Sequence, residues 1–252
     1  MARELRERIR RKMVEAISEF QMIEEGDRLL LAVSGGKDSS IMALLMQEIQ
    51  AKAPFSFSFE AVLLDQKQPG FDAKSFKEFM ASHQIPLTIL EEDTYSIVKA
   101  KVEPGKSFCG LCSRLRRGVL YNYAYDNGFT KLALGHHRDD LNETVMLNLL
   151  YQGRIASMPP KLKSDDKRNT VIRPLAYVPE DWLVDYAKEL DFPIIPCNLC
   201  GSQDNLRRGN IKKLLAKLDS AEPGIKNSIL SAQKNIRPSQ LLDPSLHNFS
   251  EL

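Results

Sequence analysis

The chain has four cysteines, arranged as two clips: Cys109-Gly110-Leu111-Cys112 and Cys197-Asn198-Leu199-Cys200. Two C-x-x-C clips supply four sulfurs, a tetrahedral set suited to Zn²⁺ or to an iron–sulfur cluster. A compact zinc ribbon spaces its clips by about 15–20 residues, whereas 84 residues separate these. The spacing excludes a compact finger and leaves a metal that joins distant segments. A structural metal site closes all four positions, and a catalytic one keeps a position open. Arg114, Arg116 and Arg117 follow the first clip, where positive charge favours both a thiolate and a bound anion. Thiols buried simply as small apolar groups are the alternative without chemistry.

A second source of chemistry is Leu31-Ala32-Val33-Ser34-Gly35-Gly36-Lys37-Asp38-Ser39-Ser40, which reads as a strand, a glycine turn and a helix start. The glycines allow close backbone approach, and the helix offers unpaired N–H groups with a partial positive charge, so the loop favours phosphate. It lacks the first glycine and spacer of the G-x-x-x-x-G-K-[ST] nucleotide loop. Asp38 beside a phosphate calls for Mg²⁺ between them. A third stretch, Leu134-Gly135-His136-His137-Arg138-Asp139-Asp140, sets five ionisable side chains in succession where a strand passes into a helix. It places Arg138 toward phosphate and Asp139 or Asp140 toward Mg²⁺. Asp139 as a helix cap, with Asp140 complementing the helix dipole, is the structural alternative. His136 and His137 are read as lining or capping residues.

The elements that must position these residues follow from hydrophobic periodicity. Leu5, Ile9, Met13, Ile17 and Phe20 predict an amphipathic helix over 3–20 with a basic opposite face. That face is either a solvated surface or a phosphate contact. Beyond it, short apolar runs at Leu29–Val33, Ala61–Leu64, Leu87–Leu90 and Lys131–Leu134 alternate with helical stretches over 39–51, 72–82 and 140–151. The alternation predicts a parallel α/β sheet with helices on both faces. Ligands then bind beyond the carboxyl ends of the strands, at the loops after Val33, around Asp65–Gly70 and after Leu134. Gly153–Asn169 reads as a mobile connection, followed by a run at Thr170–Leu175 and helices near 180–190, 205–218 and 223–234. The expected division is a basic N-terminal helix over 1–25, a nucleotide-binding domain over 26–203 and C-terminal helices over 204–252.

The chain's 252 residues, 43% apolar, suffice for a substantial core. The net charge of +2 does not announce a polyanion partner, so local clusters carry that question. No apolar run is long enough for a signal peptide or membrane span. A cytoplasmic location is expected, where paired cysteines suggest metal or redox chemistry.

Ser34–Ser39 resembles the loop of the PP-loop N-type ATP pyrophosphatases, which implies a Rossmann-like domain, ATP, Mg²⁺ and an adenylated intermediate. More of the chain resembles the tRNA 2-thiocytidine biosynthesis proteins. The matching pieces are Ser34–Ser39, Gln66–Gly70, Cys109–Gly118, Gly135–Asp140, Met158–Leu162, Ile172–Tyr177 and Pro193–Gln203, spanning about residues 28–240. Ser40 and the short termini depart from the pattern without touching nucleotide or cysteine pieces.

That resemblance implies ATP-dependent sulfur transfer to C2 of cytidine 32 in tRNA, with a [4Fe–4S] cluster held by three cysteines and one iron open. Carried over, the ligands are Cys109, Cys112 and Cys200, with Cys197 the competing member of the second clip. The implied nucleotide site comprises Ser34, Gly35, Gly36, Lys37, Asp38, Ser39, Gly135 and Asp140. Gly35, Gly36 and Ser39 would cradle pyrophosphate, Lys37 and Mg²⁺ would neutralise it, and Asp38 and Asp140 would help place the metal. The expected partners are tRNA, a cysteine desulfurase or other sulfur donor, and a second copy of the chain, with no membrane. Candidate RNA contacts are the N-terminal basic face, Arg114, Arg116, Arg117, the Lys161–Arg168 connection, Arg207, Arg208, Lys212 and Lys213. Competing readings are uridine thiolation, amine ligation to cytidine, and a zinc-stabilised nucleotide- or RNA-binding regulator without catalysis.

Overall fold

The computed structural model describes residues 2–103, 108–190 and 204–251. Its centre is a six-stranded sheet of order β3-β2-β1-β4-β6-β5. The strands are β1 (Arg28–Val33), β2 (Ser58–Asp65), β3 (Leu87–Glu91), β4 (Lys131–Leu134), β5 (Lys161–Lys163) and β6 (Thr170–Ile172). β3, β2, β1, β4 and β6 run parallel, and β5 pairs antiparallel with β6. The helices are α1 (Ala2–Glu19), α2 (Lys37–Lys52), α3 (Ala73–Ser82), α4 (Thr94–Lys101), α5 (Cys109–Asp126), α6 (Arg138–Gln152), α7 (Glu180–Glu189), α8 (Asp204–Ala221) and α9 (Ile225–Ala232).

Side chains alternate across a strand, and β1 uses the alternation to bury both faces. Leu29, Leu31 and Val33 join a core with α1, α2, α3 and α7 residues, while Leu30 and Ala32 join Leu120, Ala124 and Phe129 on the other side. This two-sided burial explains why β1 reads as an unbroken apolar run. The parallel α/β architecture expected from the alternation is present. β1 is also the point where the chain reverses its direction of travel across the sheet, with β2 on one side and β4 on the other.

One feature differs from expectation. Gly153–Asn169 is not a mobile connection throughout. Lys161, Leu162 and Lys163 form an edge strand opposite Ile172, Val171 and Thr170. Ser164 Oγ accepts the Asn169 N–H at 3.0 Å inside the turn that follows. Three residues are too few to show a period, so this strand is held by edge pairing and polar turn bonds instead of an apolar run. The amphipathic N-terminal helix lays its predicted apolar face on the main core, where Ile9, Met13 and Ala16 are fully buried. Helices α4 and α5 fill a stretch for which the alternation made no assignment. Among the described residues no helix is long and apolar enough to cross a membrane.

Met13 makes the docking of α1 measurable. Met13→Ala should lower the unfolding free energy by about 2–5 kcal/mol, read in urea as a lower midpoint at unchanged slope.

Candidate active site

β1 ends at Val33, and the chain turns through Gly35 at φ +74°, a left-handed conformation that favours glycine. Gly36 caps α2 with extended backbone and offers no side-chain hydrogen bond, so the first-turn N–H groups stay available to an anion. The Ser39 hydroxyl closes the loop on itself. It accepts from Ser34 N at 3.1 Å and donates to Gly36 O at 3.3 Å, while Ser40 Oγ donates to the same carbonyl at 3.0 Å. Lys37 Nζ donates to Asp38 Oδ2 at 3.1 Å and stands 3.8 Å from Glu180 Oε1. Asp38 Oδ1 is buried without a hydrogen bond, as is Gln68 Oε1 in the loop after β2.

Gly135 brings the end of β4 onto this loop. A Cβ on Gly135 would lie 2.8 Å from Ser39 Cα and 2.9 Å from Ser39 N, inside any normal contact. Next to it, His136 Nδ1 accepts from Arg173 Nε at 3.2 Å. An arginine only donates, so the imidazole carries its hydrogen on Nε2. Burial, and then the Arg173 guanidinium, push His136 down to about 4.

His137 is the cap of α6. Its Nδ1 accepts from Asp140 N at 3.3 Å, and Asp140 Oδ2 accepts from His137 N at 3.1 Å, forming a reciprocal capping box. The cap is therefore neither Asp139 nor a simple dipole contact from Asp140. Asp139 is buried and accepts from Glu180 N at 2.9 Å, Arg138 Nη2 at 3.1 Å and Lys226 Nζ at 2.9 Å. Burial alone would raise its carboxyl, but the Glu180 N–H, Arg138 and Lys226 outweigh burial and hold it below the usual range.

Arg138 does not face phosphate. It is buried and donates to Asn227 Oδ1 at 2.9 Å and to Asp139, because its position in the first turn of α6 points toward α9. Arg208 and Lys212, expected as RNA contacts, form ion pairs within the chain although both remain partly exposed. Arg208 donates to Asp140 Oδ1 and Glu143 Oε2, both at 2.7 Å, and Lys212 donates to Glu180 Oε1 at 2.7 Å. Sequence reasoning missed Glu180, which meets both Lys37 and Lys212. Its only local trait is that it opens α7 after a proline, which does not reveal those partners.

The first cysteine clip opens α5. Cys112 Sγ donates to Gln66 Oε1 at 3.2 Å, an oxygen that also accepts from Thr94 Oγ1 at 3.0 Å. Gln66 follows the last residue of β2, so Cys112 and the phosphate loop lie at the carboxyl ends of neighbouring strands. Cys197 and Cys200 lie outside the described residues, as does the Cys109 side chain. Among the described residues no three His, Cys, Asp or Glu side chains form a metal-holding group.

Two measurements follow from this geometry. Gly135→Ala must displace the Ser39 backbone, which costs about 1–3 kcal/mol by overpacking. It should weaken ATP binding about tenfold in calorimetry, more than an exposed Gly118→Ala control. For His136, a folded pKa near 4 lies below an unfolded value of about 6.5. The unfolded chain then binds the extra proton, so stability from neutral His136 is complete above about pH 6.5 and lost as pH falls toward 4. Between pH 7 and 4.5 the parent should lose more unfolding free energy than His136→Asn, and equal losses would contradict the assignment.

Comparison with known proteins agrees with this arrangement. A family model described as a PP-loop domain matches residues 5–215. The tRNA-cytidine(32) 2-sulfurtransferase of Bdellovibrio bacteriovorus is 55% identical over 245 residues, covering 97% of this chain and 94% of that protein. The protein of the same name from Marinobacter nauticus is 53% identical over 247 residues, covering 98% of this chain and 82% of that one. Among solved structures, the U34-tRNA thiolase NcsA from Methanococcus maripaludis, determined with its [4Fe–4S] cluster, superposes with a TM-score of 0.73 at 22% identity. That match covers 93% of this chain and 79% of the other, and it supports the fold. The family model spans most of the chain and these relatives are more than half identical to it over nearly its whole length, so the chain belongs to the PP-loop family of tRNA-cytidine(32) 2-sulfurtransferases.

Proposed function

We infer that the chain is an ATP-dependent tRNA sulfurtransferase that replaces the C2 oxygen of cytidine 32 with sulfur and releases AMP and pyrophosphate. The observation that carries this reading is the placement of Cys112 and the Ser34–Ser39 loop at the carboxyl ends of adjacent strands β2 and β1. One site then serves both halves of the reaction. Activation makes the C2 oxygen a leaving group as its adenylate, and a sulfur nucleophile displaces AMP.

The chain's residues divide the work. The open N–H groups after Gly36 and the Lys37 ammonium hold the pyrophosphate as negative charge builds on it, and a preorganised cation or donor of this kind is worth about 10²–10³ in rate. Lys37, paired with Asp38 and facing Glu180, exchanges those carboxylates for phosphate. Mg²⁺ fits at Asp38, whose buried Oδ1 makes no hydrogen bond and has only the Lys37 ammonium, 3.1 Å away, to neutralise it. Asp140 already accepts from His137 N and Arg208, so its help in placing the metal requires Arg208 to let go.

The thiol set fits an iron–sulfur cluster. Positions 109 and 112 are neighbours on the first turn of α5, where the helix N-terminus and the following arginines favour thiolate. We assign Cys109, Cys112 and Cys200 as the holding residues, with Cys197 as the alternative to Cys200. A [4Fe–4S] cluster bound there supplies an iron position not taken by protein, suited to presenting sulfur. A cysteine desulfurase or another donor supplies that sulfur, and a tRNA substrate places the enzyme in the cytoplasm. We propose a homodimer, for which the exposed Leu149, Leu150 and Ile155 near the end of α6 offer an apolar surface.

Anaerobically purified protein with ATP, Mg²⁺, a sulfide source and unmodified tRNA should yield AMP and 2-thiocytidine, the latter detected by mass spectrometry. Asp38→Asn should abolish AMP formation with iron content intact. Cys112→Ala should abolish thiolation, whereas Cys197→Ala should retain it. Zinc in place of iron, with thiolation surviving Cys112→Ala, would overturn the cluster chemistry.

A further inference from the structure

The basic residues of the chain divide into those already neutralised and those left open. On α1, Arg6 pairs with Glu48, Arg10 with Glu7 and Lys12 with Glu15, while Arg8 stacks its guanidinium 4.0 Å from the centre of the Trp182 ring. Arg208 and Lys212 are held by Asp140, Glu143 and Glu180. Three of the earlier candidate cations remain together on α5. Arg114, Arg116 and Arg117 are exposed, with no ion-pair acceptor among the described residues. Asp126, at its last position, is the only acid in the helix.

The hairpin of β5 and β6 extends this surface. Arg168 Nη2 donates to Asn122 Oδ1 at 3.0 Å, and its guanidinium lies 5.1 Å from the centre of the exposed Tyr125 ring. Asn169 Nδ2 donates to Tyr121 O at 3.2 Å. These bonds fasten the turn to α5 and present Lys163 and Lys167, both exposed and without an acceptor among the described residues. Of the acids in the turn, Asp166 is taken by Arg168, leaving Asp165. The surface also leads into the site. Its helix begins at the cysteine clip, the charge of Arg116 acts on His136, and that of Arg117 acts on Arg173.

We propose that the N-terminal half of α5, with Arg114, Arg116 and Arg117, together with Lys163 and Lys167 of the hairpin, is the surface on which the tRNA sugar–phosphate backbone lies, and that α1 is not. The proposal rests on the thiolation reading for the identity of its partner. A cation with no internal acceptor forfeits no pair when it meets a phosphate. Arg3 and Arg11 on α1 are also exposed without an acceptor among the described residues, but α1 packs with α2 and α7 on the sheet face opposite α5, away from the cysteine clip. Contacts of this type position the RNA and carry no base specificity. Arg168 is a positioning residue, since it holds the turn against the helix.

The test measures binding of an unmodified tRNA transcript to the full chain over a range of KCl concentrations. Arg114→Gln, Arg116→Gln and Arg117→Gln are combined in one variant and compared with a double Arg3→Gln and Arg11→Gln variant on α1. The α5 variant should bind at least about tenfold more weakly, and the slope of log affinity against log salt should flatten by about 2 to 3, at roughly 0.7–0.9 per phosphate contact. The α1 variant should bind within about twofold of the parent. Arg114→Gln alone should flatten the slope by about one contact, which keeps the question answerable if the triple variant does not fold. Parental binding by a folded α5 variant, or an equal loss in the α1 variant, overturns the surface while leaving the thiolation reading standing. A parent chain that binds no tRNA overturns both.

Discussion

The close approach of Gly135 to Ser39 is the constraint around which the site is built. Two strand ends must come close enough for one ligand to touch both, and at this point the backbone of one rests where a side chain of the other would stand. The sheet supplies the opportunity, because β1 and β4 are adjacent and parallel at the reversal of the chain. Glycine supplies the clearance. With that contact made, the Ser34–Ser39 loop, the His136–Arg173 pair and the capped start of α6 lie against one another.

Around this contact the protein arranges charge with little slack. Asp139, Asp140 and Glu143 crowd the first turns of α6, and the C-terminal helices answer them. Lys226 of α9 meets Asp139, and Arg208 of α8 meets Asp140 and Glu143. These helices have thin apolar faces, since α9 has no buried residue and, among the described residues of α8, Ile211 and Leu215 are the buried apolar side chains. Ion pairs help to seat them, and removing one partner of a buried pair such as Lys226–Asp139 is commonly worth about 3–5 kcal/mol. Glu180 links this network to Lys37. The α8 helix that follows the second cysteine clip therefore shares one carboxylate, Glu180, with Lys37 of the nucleotide loop.

Much of this was legible in the residues themselves. Strands β1 to β4 and helices α1, α2, α3 and α6 announce themselves through runs and periods that depend on near neighbours. The turn at Gly35 and Gly36 is legible for the same reason, since backbone freedom is a property of the residue. The edge strand Lys161–Lys163 was not legible, because its pairing is with Thr170–Ile172 and its own three residues carry no period. Arg138 looked like a phosphate contact because its neighbours are polar, and only the position of Asn227 on α9 shows where it points.

The sequence by itself determined the kind of chemistry: a phosphate-binding turn, paired thiols and a parallel sheet to carry them. All three follow from residue type and short-range spacing. Tertiary structure alone decided which charges are available to do that chemistry. Whether Arg208 is a free cation or a partner of Asp140, and whether Lys37 faces solvent or Glu180, depends on segments far apart in the chain. Ion pairing acts through space over a few ångströms, so a linear order cannot reveal it.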